Sequence, residues 1–153
     1  MTILIDTRQK AGKHEHKDQW FEENGIRTVR TKLAFGDYCL PPSISIDTKA
    51  NMAEIASNIG SDHKRFKNEC IAARDAGCQL IILVENTEDI RSVEDVHKWI
   101  NPEVIYRPRS ITGERLQKAM KTMSERYGVR FEFCDPTESA SKIIELLGAG
   151  KDE

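Results

Sequence analysis

The amino-acid sequence predicts an α/β protein in which helices lie on both sides of a central mixed β-sheet. The strongest observation is the run LIILV at 80–84, which is typical of a central strand that is apolar on both faces. Shorter apolar or alternating segments predict five further strands, and apolar residues three and four apart predict helices between them. The predicted order is βαβββααβααβα, which favours an αβα sandwich.

The first predicted strand covers residues 2–5 and ends in the polar run 6–10, which contains acidic and basic side chains. Functional residues of open α/β sheets commonly follow the carboxyl ends of strands, so this run is a candidate site segment. A helix is predicted over 14–23, with Trp20 and Phe21 directed inward.

Two strands separated by a turn are predicted next. Residues 26–34 alternate in part between apolar and polar side chains, and the turn-like segment 36–38 leads into a further short strand. We expect these two strands to pair as an antiparallel hairpin. Because another strand follows at 43–49, after a proline break, this arrangement would bring Asp37 near Asp47.

The rest of the chain is mainly helical in pattern. Ser61 or Asp62 is expected to cap one helix and Ser92 another. The longest helix has an apolar stripe that includes Met120 and Met123 and belongs either to the core or to a dimer face. The predicted helices cover about 52–59, 63–76, 93–100, 112–127 and 136–147, and the strands 80–84 and 129–134.

Length and composition indicate one globular domain. The chain has 153 residues, of which 39% are hydrophobic and 31% charged, and we assign residues 1–148 to the domain and 149–153 to a flexible tail. The net charge of −2 excludes a globally basic nucleic-acid-binding protein. Any site for a polyanion must therefore come from local clusters of Lys and Arg.

The cysteines and the lack of long apolar runs indicate a reducing, cytoplasmic environment. The four cysteines, Cys39, Cys70, Cys78 and Cys134, are scattered without a CxxC pair, so free thiols are expected rather than a zinc site or disulfides. No signal peptide is recognisable, and no apolar run approaches the roughly 18 residues that a membrane span needs, so no membrane partner is expected.

The strand at 43–49 places charged side chains together. Ile44 and Ile46 alternate with Asp47 and Lys49, so the isoleucines would face a core while the carboxylate and the ammonium share the other face. One interpretation of this pair is a weak, solvated surface contact of about 0–1 kcal/mol. The other is that Asp47 and Lys49 belong to a reactive site.

A reactive site here would suit a divalent cation and a phosphodiester. Magnesium prefers oxygen ligands and keeps several waters, so Asp37 and Asp47 would suffice to hold it, with Glu54 close by at the start of the next helix. Two carboxylates about 4 Å apart repel by roughly 4 kcal/mol at an effective dielectric constant of 20, which favours a cation between them. Lys49 would orient water or stabilise charge on the phosphate.

Three further segments carry basic side chains. Lys64 and Arg65 lie in the first turn of a predicted helix, where cations oppose the helix dipole, so an anion such as a DNA backbone is one explanation and a solvated face is the other. The loop YRPRS at 106–110 is equally a DNA contact or a surface loop. His14 and His16 do not share a helix face, and we expect both to be solvated.

Five blocks of the sequence, taken in order, resemble the nuclease domain of the XPF/Hef family of structure-specific DNA endonucleases. This family is a branch of the PD-(D/E)XK, restriction-endonuclease-like superfamily. The blocks are Asp6-Thr7-Arg8-Gln9, Gly36-Asp37-Tyr38, Asp47-Thr48-Lys49, Glu54 and Leu83-Val84-Glu85, and the resemblance extends from about residue 2 to 147. It implies a restriction-endonuclease-like αβα sandwich with a central mixed sheet.

The chain also departs from the family pattern. Asp47 replaces the usual Glu, Thr48 replaces an Arg, and Gln9 replaces a Glu. The role of that guanidinium is therefore absent or supplied elsewhere. A helix-hairpin-helix tandem, which usually follows this domain in the family, is not found, and we expect a compact single-domain member of the phage or prophage type.

The resemblance implies a Mg²⁺- or Mn²⁺-dependent cut in DNA near a branch, flap or junction, and a homodimer. The implied catalytic residues are Asp6, Asp37, Asp47, Lys49 and Glu54, with Asp37, Asp47 and Glu54 as metal ligands. The implied DNA contacts are Arg8 and Arg65, to which the basic segments above add Lys10, Lys64, Arg107 and Arg109. Two alternatives are a non-catalytic DNA-binding or scaffold subunit and a nuclease that acts on plain duplex.

Overall fold

Six strands form one mixed sheet in the computed structural model of the chain, which describes residues 1–10, 12–41 and 43–148. They are β1 (Thr2–Asp6), β2 (Arg27–Thr31), β3 (Tyr38–Leu40), β4 (Ile44–Lys49), β5 (Gln79–Glu85) and β6 (Arg130–Cys134). Their order across the sheet is β2-β1-β3-β4-β5-β6. The β3 strand is antiparallel to both of its neighbours, and the other pairs are parallel. The predicted α/β architecture with a mixed sheet is confirmed.

Helices cover both faces of this sheet. They are α1 (Glu15–Glu23), α2 (Met52–Ile59), α3 (His63–Asp75), α4 (Gly113–Tyr127) and α5 (Ser139–Gly148). One core contains buried residues of α1 and α5, and the other contains buried residues of α2, α3 and α4. The methionine stripe of α4 belongs to the second core, because Met120 and Met123 are both buried there.

The alternation of side chains along β4 and β5 divides the two cores. Ile46, Ile81 and Leu83 face the α1 and α5 side, whereas Ile82 and Val84 face the other helices. The all-apolar run of β5 is therefore explained by burial on both faces, as the sequence predicted. Leu80 to Glu85 are all buried.

The predicted pairing of the second and third strands is wrong. The β2 strand is shorter than expected and pairs with β1 in parallel, not with β3. Helix α1 forms the crossover that two parallel strands require, and this leaves β2 as a largely exposed edge strand. Asp37 nevertheless lies near Asp47, because the hairpin forms between β3 and β4.

Several local predictions also differ from the structure. The segment predicted as a helix over 93–100 is the 3-10 helix Val93–Lys98, so Ile100 is left 85% exposed. Asp62 stands at the start of α3 and Ser92 at the start of this 3-10 helix, but neither side chain bonds the backbone as a cap. A 3-10 helix, Pro136–Glu138, precedes α5, and another, Pro102–Ile105, follows the first.

The cysteines are free thiols, as expected, with Cys70 and Cys134 buried. In the part of the chain that the structure describes, no helix has the length and apolar character needed to cross a membrane. The tail assigned to 149–153 and the break expected at Pro42 lie outside the described residues.

Candidate active site

A cleft of about 690 Å³ lies at one edge of the sheet. The carboxyl ends of the parallel strands β1, β4 and β5 meet at this edge, and the amino end of antiparallel β3 meets them there. These ends place Asp6, Asp37, Lys49 and Glu85 around the cleft, together with Asp47. The structure thus brings together the acids and the lysine that the sequence singled out on these strands.

Asp37 is held by the backbone of β4. Its amide donates to the Ile46 carbonyl at 2.7 Å, and its Oδ2 accepts from the Thr48 amide at 2.8 Å and from Thr48 Oγ1 at 3.0 Å. Gly36 makes this close approach possible, because a Cβ there would lie 2.7 Å from the Ile46 oxygen and the residue has φ +72°. The Asp37 carboxylate is therefore fixed beside β4.

Asp47 and Lys49 form an ion pair inside the cleft. Lys49 Nζ lies 3.2 Å from Asp47 Oδ2 and 5.8 Å from the centre of the Phe66 ring, which supports the buried ammonium from α3. Burial raises the pKa of Asp47 to about 7, Asp37 adds to the rise, and Lys49 opposes it. The ionised form of Asp47 is therefore disfavoured in the cleft, a situation that a further cation beside it would relieve.

The donor atoms fit a hard divalent cation, but the predicted set of three ligands is not assembled. Among the described residues, no three His, Cys, Asp or Glu side chains lie close enough to share one ion. Glu54 lines the cleft but is exposed, and its Oε2 lies 3.5 Å from the Ala50 amide. Two carboxylates remain, those of Asp37 and Asp47, and this number suits Mg²⁺, which retains several waters.

Asp6 organises the neighbouring turn. Its Oδ2 accepts from Arg8 Nε at 2.8 Å and its Oδ1 from the Leu33 amide at 3.2 Å, while Arg8 also donates to the Leu33 carbonyl at 2.7 Å. Asp6 is buried, whereas the Arg8 side chain is mostly exposed at the cleft. Asp6 therefore holds Arg8 in place while lining the cleft itself.

The segment from Arg8 to the first turns of α1 forms one wall of the cleft, which we term the basic wall. The basic wall consists of Arg8, Lys10, Lys13, His14, His16 and Lys17. Of these residues, only Arg8 and Lys10 were predicted from the sequence to contact DNA. The six basic residues within the ten positions 8–17 could have indicated the whole wall. The expectation that His14 is solvated is wrong, because its ring is half-buried; burial, Lys17 and Lys13 lower its pKa.

A buried ion pair joins the basic wall to the end of β5. Lys17 Nζ lies 2.7 Å from Glu85 Oε2, and the two residues are 1% and 7% exposed. Glu85 belongs to one of the five sequence blocks that carry the family resemblance. Its partner was not found, because 68 positions separate the two residues and no local pattern connects them.

The other basic residues predicted to bind DNA lie elsewhere. Arg107 and Arg109 line a second groove of about 690 Å³, beside the turn between α2 and α3. Lys64 and Arg65 are exposed in the first turn of α3 and do not line the main cleft, and Arg65 pairs with Asp62 at 2.7 Å. None of these four residues therefore lines the cleft that contains the carboxylates.

Comparison with known proteins adds a family and a fold. The model of the ERCC4 domain matches residues 5–147. Two solved structures from Aeropyrum pernix are similar, XPF with a TM-score of 0.71 and XPF in complex with DNA with a TM-score of 0.70. Each is 20% identical and covers 99% of this chain, which spans 65% of the length of the matched chain. Among curated proteins, none matches significantly.

Proposed function

The chain belongs to the ERCC4 domain family, and from this premise we propose that it is a metal-dependent DNA endonuclease that hydrolyses phosphodiester bonds at branched or flapped DNA. The observation that carries the proposal is the meeting of Asp37, Asp47 and Lys49 in one cleft beside the basic wall. Hydrolysis of a phosphodiester is served by a site of this kind, in which acids bind a metal, a fixed cation stabilises charge and a basic surface holds the DNA backbone.

Asp37 and Asp47 would hold the metal, and Glu54 at the rim would contact it through water. When bound, Mg²⁺ or Mn²⁺ supplies Lewis acidity toward a phosphate oxygen and lowers the pKa of adjacent water. The raised pKa of Asp47 supports this assignment, because burial disfavours its ionised form and a cation beside it would offset that effect. Asp6 keeps Arg8 at the cleft, where the guanidinium would contact the phosphate next to the cut.

Lys49 would stabilise the negative charge that grows on the phosphate as water attacks. Its ammonium is held between Asp47 and the Phe66 ring, so little reorganisation is needed when the substrate arrives. The basic wall would follow the DNA backbone on one side of the cut, because it presents Arg8, Lys10 and Lys13 along the same cleft.

DNA and a second copy of the chain are the proposed partners. One similar structure is described as XPF in complex with DNA, which supports DNA as the ligand here. A homodimer would double the weak phosphate contacts of a single basic wall and so raise the overall affinity. Sedimentation equilibrium with and without a forked duplex measures the number of chains in the complex, and a monomer in both would exclude the dimer.

A panel of labelled flap, fork, Holliday and linear duplexes, incubated with Mg²⁺, tests the enzymatic proposal. We expect nicks near the branch, and we expect Lys49→Ala to lower the rate about 10²–10³-fold, as for other groups that stabilise transition-state charge. Lys98→Ala is the matched control, because Lys98 is an exposed lysine far along the chain from the cleft residues. Equal cutting by Lys49→Ala would remove the catalytic assignment, and equal cutting of linear duplex would favour a nuclease for plain duplex.

A non-catalytic DNA-binding or scaffold subunit is the second candidate. The observation in its favour is that each key group already has a partner, since Asp37 accepts from Thr48 and Asp47 pairs with Lys49. Calorimetric titration with Mg²⁺ distinguishes the two. The enzyme is expected to give a binding isotherm that Asp37→Asn removes, whereas a scaffold gives no carboxylate-dependent isotherm.

A further inference from the structure

The buried Lys17 ammonium contacts two side chains at the edge of the cleft. Its Nζ lies 2.7 Å from Glu85 Oε2 and 3.4 Å from His14 Nδ1. Because an ammonium can only donate, Nδ1 of His14 must accept, and a neutral imidazole then carries its hydrogen on Nε2. One lysine thus determines the position of an acid and the tautomer of a histidine.

The pair links α1 to a sheet face on which β4 offers no cation. Thr48 pairs with Leu83, and side chains alternate along each strand, so Thr48, Leu83 and Glu85 project from the same face of the sheet. Glu85 is two residues beyond the partner of Thr48 on a parallel strand, so strand spacing and rise place the two roughly 8 Å apart, within reach of a long side chain at position 48. Thr48 is too short to reach, and its hydroxyl instead donates to Asp37.

We propose that Lys17 is a positioning residue that supplies, from α1, the cation that pairs with Glu85 at the carboxyl end of β5, and that it holds Glu85 and His14 at the wall of the cleft. His14 is thereby presented as a neutral Nε2–H donor. This last role rests on the proposed function, in which the donor meets a phosphate oxygen of the DNA.

The charges around His14 support a neutral ring. Burial, Lys17 and Lys13 lower its pKa, in that order, and the opposing effects of Asp37 and Glu85 are smaller. As a neutral donor within the basic wall, His14 would add a directed hydrogen bond to phosphate without adding charge.

Moving the cation from position 17 to position 48 tests the proposal, and the Tm of thermal unfolding is the quantity measured. Lys17→Met leaves the Glu85 carboxylate buried without a partner, and we expect its Tm to fall by roughly 10 °C. Thr48→Arg alone should lower the Tm, because it removes the hydroxyl contact with Asp37 and adds a cation near Lys17. In the Lys17→Met background the same substitution should raise the Tm, since the guanidinium then pairs with Glu85. Lys98→Met, at an exposed pair, should leave the Tm unchanged.

The proposal depends on the change in sign of the Thr48→Arg effect on the Tm between the wild-type and Lys17→Met backgrounds. A Lys17→Met protein as stable as the wild type, or a double variant no more stable than Lys17→Met, would overturn the proposal. If Lys17→Met does not fold, a folded double variant supports the proposal and an unfolded one refutes it.

The tautomer of His14 is a second measurement, and a purely structural role of Lys17 would leave it unchanged. Long-range ¹H–¹⁵N correlation spectra should show the Nε2–H form of His14 in the wild type and a mixture in the Lys17→Met/Glu85→Gln variant, whose pair is neutral. A wild-type ring with the hydrogen on Nδ1 contradicts the proposal. These measurements need no DNA, so a wild-type protein that fails to nick any substrate would refute the proposed function and leave this test unaffected.

Discussion

The ammonium of Lys49 lies 3.2 Å from a carboxylate oxygen of Asp47, two residues earlier on the same strand. The alternation of β4 places both side chains on one face, and the Phe66 ring limits where the ammonium can move. A cation supplied by the protein therefore already occupies part of the space around Asp47. In the proposed enzyme, a metal ion and this lysine would share one acid, which makes the charge state of Asp47 the central property of the site.

Asp47→Asn is expected to stabilise the metal-free protein while abolishing nicking. Burial raises the pKa of Asp47 to about 7, so at pH 8 the folded state carries an ionised group that it disfavours, and the neutral amide removes this cost. We expect a gain of about 1 kcal/mol or more in the free energy of unfolding, measured by urea denaturation at pH 8 with a chelator. Lower stability than the wild type would show that the contact with Lys49 outweighs the burial.

Gly36→Ala is expected to destabilise the protein much more than Gly25→Ala. Both glycines have φ near +70°, which costs an alanine about 1 kcal/mol, but only at Gly36 would the new Cβ meet backbone, 2.7 Å from the Ile46 oxygen. At Gly25 nothing lies within 4 Å. The difference should be about 2 kcal/mol or more, because the hairpin that fixes Asp37 must open. Equal losses in urea denaturation would mean that the turn can shift without cost.

We expect the basic wall to contribute to the salt dependence of DNA binding. Lys10→Ala and Lys13→Ala should each lower the slope of log K against log [salt] by about 1, because each removes one phosphate contact, with no change in Tm. Fluorescence anisotropy with a forked duplex at several salt concentrations measures the slope. Lys98→Ala serves as the control for a lost charge outside the cleft.

The same titration separates the main cleft from the second groove. Arg107→Ala and Arg109→Ala should keep the wild-type slope if DNA stays in the main cleft, because these residues line the other groove. A reduced slope in either variant would extend the DNA path along α2 to that groove and support the prediction made for these residues from the sequence.

The sequence predicted the parts of the site that follow from local periodicity. The alternation around Asp47 and Lys49 and the turn before Asp37 are properties of short segments, and they placed three side chains at one edge of the sheet. The pairing of β2 could not be predicted in the same way, because it depends on which neighbour competes better for β1. An exposed edge strand gives little hydrophobic signal.

Contacts between distant segments account for the other differences. Lys17 appears in the sequence as an ordinary charged residue of an amphipathic helix, and only the packing of α1 against the end of β5 makes it a buried partner of Glu85. Glu54 was expected to join Asp37 and Asp47 because of its spacing. The structure leaves it exposed at the rim of the cleft, and among the described residues no three acidic side chains lie close enough to hold one ion.

The half-buried ring of His14 predicts a contribution to stability that is lost as the pH falls below 6.5, opposite in sign to that of Asp47, whose raised pKa favours the folded state on acidification. Burial lowers the pKa of His14 below its usual value of 6.5, so on acidification the unfolded chain binds a proton before the folded protein does. The His14 contribution is therefore full above pH 6.5 and decreases as the pH falls toward the lowered pKa, by at most about 1.4 kcal/mol per pH unit for one group. In urea denaturation, the stability of His14→Gln relative to the wild type should therefore rise as the pH falls from 7 to 5, whereas the relative stability of His16→Gln, an exposed neighbour that also lines the cleft, should not change with pH. A relative stability of His14→Gln that does not change with pH would assign any acid sensitivity to other groups and would remove burial of this ring as its cause.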